Sequence, residues 1–179
     1  MLAAILLLAA PAPAEVWITP TKPVFLSNEY VSFKVELKNL CQKPIEILEV
    51  GDGSAEHWVK PFIGWSVLRA NEKAKHPEAT PALHLARCGN VNPTVSEMFH
   101  PVAPGETRLI LNGGGPLDFS REPGEYRIVF YYEIDPKAPT RMDEGLGGLP
   151  EGLLPRYKAL TPMKLRSNEV RFKVMKETA

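Results

Sequence analysis

Glu29-Tyr-Val-Ser-Phe-Lys-Val-Glu-Leu-Lys38 decides the fold. Val31, Phe33, Val35 and Leu37 point one way, and Ser32, Lys34, Glu36 and Lys38 the other. A period of two describes a strand with one face on a core and one in water. A helix would repeat its apolar residues every three to four positions instead. Asn39 ends this strand. The pattern recurs from Glu125 to Ile134, the longest expected strand, where Tyr126, Ile128, Phe130, Tyr132 and Ile134 share a face. It recurs again from Asn168 to Val174, with Val170, Phe172 and Val174 inward and Arg171 and Lys173 outward.

Shorter runs complete the set. Val16 to Ile18 is closed by Pro20 and Pro23, and Pro44 to Val50 by Gly51-Asp52-Gly53. Gly64 to Ala70 forms another, and Glu106 to Leu111 ends at Asn112-Gly-Gly-Gly115-Pro116. The 18 prolines and 13 glycines fall between apolar runs, so they act as turn punctuation rather than low complexity. About seven short strands separated by turn residues predict an all-β chain, an antiparallel two-sheet sandwich. Glu72 to Asn92 and Asp135 to Leu165 fit no strand and are expected to be two long insertions, which in compact domains are often functional.

Three segments carry a resemblance. Arg121-Glu-Pro-Gly-Glu-Tyr126-Arg-Ile-Val-Phe130 resembles the approach to strand F of immunoglobulin-like and fibronectin-like domains. Arg166-Ser-Asn-Glu-Val170-Arg-Phe-Lys-Val174 resembles the closing strand of many exported bacterial immunoglobulin-like modules. Leu26-Ser-Asn-Glu-Tyr30, leading into Val31 to Leu37, resembles their strand B. The layout is also similar to a small bacterial proteinase-inhibitor family with an immunoglobulin-like sandwich. The resemblance covers about half of the chain after Ala14 and implies the fold more than a function. It implies that Tyr126 is a structural corner whose hydroxyl bonds back to the preceding turn. The antibody-type Cys-Trp-Cys core does not carry over, because Cys41 follows strand B and Cys88 is not two residues beyond Tyr126.

The chain opens with an uncharged apolar stretch, Leu2 to Ala10, followed by Ala12-Pro13-Ala14. This reads as a signal peptide over residues 1–14 with cleavage after an A-x-A step. The expected product is an exported, periplasmic or extracellular domain over 15–179, starting at Glu15. The apolar run is too short to span a bilayer, and no later run approaches span length, so no transmembrane anchor is expected. In an oxidising compartment the two cysteines, Cys41 and Cys88, are expected to pair. The loop they close would give roughly 4 kcal/mol in the chain-entropy account. Lys plus Arg and Asp plus Glu both number 21, so the neutral chain is a poor candidate for nucleic acid, whose binding rests on phosphate neutralisation.

Motifs for chemistry are sparse. Val50-Gly-Asp52-Gly-Ser54 follows an apolar strand, as in a family of serine esterases, but an extra glycine intervenes and no histidine follows His100. A turn explains it better. The histidines His57, His76, His84 and His100 lie in the middle third without metal-ligand spacing, so no metal or other cofactor is expected. His76 and His84, in polar Pro-bounded sequence, are expected to be solvated. Asp52, Glu56, Asp118, Asp135, Asp143 and Glu144 could supply paired carboxylates, yet each suits a turn or cap. Apolar residues in loops point instead to binding. Trp58, Phe62 and Trp65 cluster around Pro61, and Leu146, Leu149, Leu153, Leu154 and Tyr157 stud the second insertion. The opposing possibility is that these side chains pack down as core.

The expected function is therefore a non-catalytic binding or accessory module that recognises a protein or polysaccharide partner. One alternative is a proteinase inhibitor presenting Gly145 to Pro155. Another is a metal-binding or hydrolytic protein using the histidine-rich middle.

Overall fold

The computed structural model describes residues 12–49, 62–78, 96–116, 119, 121–137 and 151–177. Its strands are β1 (Ala14–Pro20), β2 (Val24–Leu26), β3 (Phe33–Asn39), β4 (Ile45–Leu48), β5 (Phe62–Arg69), β6 (Phe99–Val102), β7 (Thr107–Gly114), β8 (Gly124–Ile134), β9 (Met163–Arg166) and β10 (Val170–Met175). One short helix, α1 (Leu154–Lys158), lies between β8 and β9. The chain is all-β, as its alternation predicts.

The first sheet has the order β1-β3-β7, antiparallel throughout. The second has the order β2-β10-β8-β5, with β9 also on β8. A two-stranded sheet pairs β4 with β6. The core lies between the two larger sheets. Phe33 of β3 meets three rings of the second sheet, with centroids 6.5 Å from Phe25, 5.3 Å from Trp65 and 5.6 Å from Phe172. Burying a side chain such as Phe33 is worth about 1.5–3 kcal/mol. The inward rows are those read from the sequence, namely Val31, Phe33, Val35 and Leu37, and Tyr126, Ile128, Phe130, Tyr132 and Ile134. The fully buried Tyr132 hydroxyl donates to Leu48 O at 2.7 Å, so no polar group is left stranded there.

Several details depart from the expectation. One pairing is parallel: β2 runs beside β10, with Lys173 opposite Val24 and Met175 opposite Leu26. Pro20 and Pro23 do more than end a strand. They bracket the step at which the chain leaves the first sheet and joins the second, where a missing N–H is tolerated. β3 starts at Phe33, because residues 27–32 turn through the Glu29 N–H bond to Leu26 O. Three unforeseen strands appear, β2, β6 and β9, the last inside the presumed second insertion. α1 in that insertion carries Pro in its first turn, where its lost N–H costs nothing.

Close approaches account for two polar or small residues. A Cβ on Gly115 would sit 2.0 Å from Val31 O, so only glycine lets these backbones meet. Buried Asn39 donates to Lys43 O and Val102 O, both at 2.9 Å, and accepts from Cys41 N–H at 2.7 Å. One amide thereby ties the end of β3 to the turn after it and to β6.

Ala14, the residue before the expected cleavage point, is buried and pairs with Asn39 within β1. A cut there leaves the other six residues of β1, Glu15 to Pro20, paired with Phe33 to Lys38.

Candidate functional site

The outer face of β8 is not left to water. Alternation places Glu125, Arg127, Val129, Tyr131 and Glu133 on it, yet Val129 and Tyr131 are buried. The segment after β5 runs along this face, tied to Arg127 and Tyr131 on either side of Val129. It leaves β5 in a turn closed by Glu72 N–H on Arg69 O at 3.0 Å, then runs to residue 78 over the sheet. Arg127 donates to Glu72 O at 3.0 Å and also to Ala74 O. Tyr131 donates its hydroxyl to Pro77 O. Residues 72–77 thus form a strap held by side chains from the sheet beneath.

His76 is the inward-pointing residue of the strap. Its side chain has 0% exposure. Nδ1 lies 2.8 Å from Ser66 Oγ, on β5. Nε2 lies 3.3 Å from Glu169 Oε2, within ion-pair distance but without the alignment of a hydrogen bond. Glu169 is shared, because Arg127 Nη1 is also 3.3 Å from the same oxygen. Burial holds the His76 imidazole below its ordinary value. The Glu169 carboxylate works against that, and Arg127 and Arg166 add to it. The neutral ring with hydrogen on Nε2 fits best: its N–H faces a carboxylate, and Nδ1 is left to accept the Ser66 hydroxyl.

Ser66, His76 and Glu169 match the residue types of a hydrolase triad, a hydroxyl on an imidazole oriented by a carboxylate. The cover argues against that use. A triad histidine must give its proton to a leaving group, and a ring without exposed surface touches none. As it stands the cluster ties the strap down. The expectation that His76 is solvated is corrected here, because the strap turns its ring onto the sheet.

A second feature is apolar and open. Val24 and Leu26 on β2 are 37% and 36% exposed, and Met175 on β10 is 44% exposed. Met175 is opposite Leu26 in the parallel register, so the three form one row at the margin of the second sheet. Glu29 steadies its end. Its Oε2 is 2.6 Å from both Lys22 Nζ and the Leu26 N–H, and these bonds hold its carboxyl below the usual range.

Among the residues expected to form a binding surface, Trp65, Leu153 and Leu154 are half-buried and Tyr157 is buried. Trp65 is half-buried, with its ring 4.7 Å from Phe130, and belongs to the core packing. Tyr157 is buried and donates to Asp135 O at 3.1 Å. Leu153 packs on the core, and Leu154 is half-buried at the start of α1. Arg156 pins α1 to the small sheet, 2.6 Å from Glu46 Oε1 and 4.7 Å over the Phe99 ring. Phe62 begins β5. Trp58, Leu146 and Leu149 lie outside the described residues. So does most of Gly145 to Pro155, whose described end is turned into helix rather than extended. Trp65 from strand β5 and Tyr157 from α1 thus both take part in the packing of the core.

Tyr126 donates its hydroxyl to Glu122 O at 2.7 Å, four residues upstream. Cys41 is half-buried, with Sγ 3.5 Å from Pro13 O, and Cys88 lies outside the described residues. His100 Nε2 is 2.6 Å from Glu49 Oε2 on the small sheet. Asp135 Oδ1 accepts Lys137 N–H at 3.0 Å in a turn. His57, His84, Asp52, Glu56, Asp118, Asp143 and Glu144 lie outside the described residues. Among the described residues no three or more His, Cys, Asp or Glu side chains group as metal ligands, and no helix is long and apolar enough to cross a membrane.

Sequence reasoning missed Ser66, Arg127 and Glu169. Each is a polar residue at an outward strand position or in a turn, and the strap brings all three together around His76. Compared with known proteins, the chain matches no family model, no curated protein and no solved structure.

Proposed function

We propose that the chain is an exported immunoglobulin-like sandwich that works as a non-catalytic binding module, and that a protein partner docks on the apolar row Val24, Leu26 and Met175. Strand order supports the fold assignment. β1-β3-β7 corresponds to the A-B-E sheet of such domains, and β10-β8-β5 to their G-F-C sheet. The passage of the first strand from one sheet to the other, through β2, suits the same scheme, and the Tyr126 bond to Glu122 O has the geometry of a tyrosine corner. Export rests on Leu2 to Ala14, and its pairing of Cys41 with Cys88 remains part of the proposal.

The observation that carries the binding reading is the exposed row itself. A contiguous apolar strip on a sheet margin favours a protein surface over a polysaccharide, which asks for aromatic faces and polar groups. A photo-reactive residue placed in turn at Leu26, at Met175 and at the distant exposed Leu109 tests it in the exporting cell. Adducts to one protein species from Leu26 and Met175, without that species from Leu109, are expected. Equal labelling from all three positions, or none, overturns the assignment.

A further inference from the structure

We propose that residues 72–77 are an acid-released strap, latched by neutral His76, whose departure uncovers Ser66, Val129 and Tyr131 on the outer face of the second sheet. The latch stands on geometry. Beyond the entry turn at Arg69, the ties to the strap among the described residues come from side chains below it: Arg127 to Glu72 O and Ala74 O, Tyr131 to Pro77 O, and Ser66 and Glu169 to the His76 ring. No strand pairs with the strap among the described residues. It is therefore the part of the sheet's covering that can leave without breaking a ladder, and such locally tied segments open at lower cost than the whole fold.

His76 is the tie that titrates near neutrality. Arg127 and Tyr131 face it from β8, Arg166 from β9, Glu169 from the link before β10 and Ser66 from β5, with Glu72, Lys73, Lys75 and Glu78 on its own segment. A proton on the ring adds a positive charge beside two arginines. It also turns Nδ1 from acceptor to donor against Ser66. Glu169 compensates only in part, since Arg127 already engages its carboxylate.

The direction follows from proton counting. With the strap closed, His76 holds its proton less well than the ordinary imidazole; with the strap open, it titrates near ~6.5. The open form therefore binds more protons below that value. Acid favours opening, by up to about tenfold for each pH unit between the two values. Above about pH 7 the latch contributes its full stabilisation.

Amide exchange on the full chain, read by mass spectrometry as protection factors at pH 7.5 and 5.0, tests this. Peptides from 70–78 are expected to lose protection at pH 5.0 relative to pH 7.5. Peptides from β3 are expected to keep theirs. His76→Gln, which can still accept from Ser66 but does not titrate, is expected to remove the pH effect. Glu169→Gln, which takes away the compensating carboxylate, is expected to deepen it. The wild-type His76 ring signal, assigned by its loss in His76→Gln, is expected to titrate below 6.5. Equal strap protection at both pH values overturns the proposal, as does parallel loss in β3, which would be global unfolding. A persistent pH effect in His76→Gln, or a His76 titration at or above 6.5, overturns it equally.

Discussion

Ser167→Ala is the sharpest test of how the second sheet is held together. Ser167 lies between β9 and β10 and is 3% exposed. Its N–H donates to Phe130 O at 2.9 Å, as a strand partner would. The reciprocal bond is unusual, because Phe130 N–H donates to Ser167 Oγ at 2.9 Å rather than to a carbonyl. Phe130 is fully buried, with the Trp65 ring 4.7 Å away, so water does not replace a lost acceptor. Alanine leaves that amide unsatisfied, which costs about 1–3 kcal/mol. Taking ~2 kcal/mol, Tm falls by about 4–8 °C for a chain of this size. The urea midpoint falls by roughly 1 M for a slope near ~2 kcal/mol/M, with the slope unchanged. Ser32→Ala is the control: its hydroxyl bonds Thr21 Oγ1 at 2.7 Å in an exposed setting and is expected to matter by less than about 0.5 kcal/mol. If the two variants agree within that margin, Phe130 N–H has another acceptor and the reasoning fails.

Three further outcomes follow, two from contacts in the fold and one from the proposed export. Tyr126→Phe keeps the ring stack on Phe172, 5.5 Å between centroids, but loses the bond to Glu122 O, and is expected to lower unfolding free energy in urea by about 1 kcal/mol. Burial pushes the Tyr132 and Tyr157 hydroxyls well above their ordinary value of 10.0, so the fold gains stability from their neutral forms below that pH and loses it as pH rises beyond. Absorbance at about 295 nm is expected to show both ionising only with unfolding, whereas early ionisation of all five tyrosines would contradict the burial. On the proposed export and disulfide, protein recovered from its host is expected to show no thiol on unfolding without reductant, and Cys41→Ser to cost up to about 4 kcal/mol. Two titratable thiols in the wild type would remove the disulfide.

The sequence carried the inward rows of β3 and β8 plainly, because large apolar residues at every second position mark the face that packs on the core, although on β8 part of the outer row is buried as well. It did not carry β2, whose three residues between Pro23 and Ser27 show no period. β6 was hidden by Pro101, tolerated where it pairs with Glu46 on a two-stranded sheet. His76 was misread for a different reason. Its neighbours Lys73, Lys75 and Pro77 are exposed, so composition marks the segment as solvated, and its inward side is set by contacts outside the segment, with Ser66 and with Arg127, Tyr131 and Glu169 much further along the chain.

One structural device was legible and went unread. Met163 and Leu165 point inward on β9, and so do Phe172 and Val174 on β10, yet the two pairs sit on opposite parities. A single unbroken strand would therefore put one pair in water. The register shows the remedy. Leu165 is opposite Tyr132 and Val170 opposite Ile128, so this side advances five residues while β8 retreats four. That is a β-bulge, and bulges re-aim the side chains they displace. Here each displaced residue goes somewhere different. Ser167 closes the ladder with Phe130, and Asn168 Oδ1 accepts Ile18 N–H at 2.8 Å, binding the first sheet's outer strand. Glu169 reaches the strap through His76. An odd spacing between two inward rows is thus the mark of a place where both sheets and the strap are joined. Loosening Ser167 should reach His76 through Glu169, two residues on.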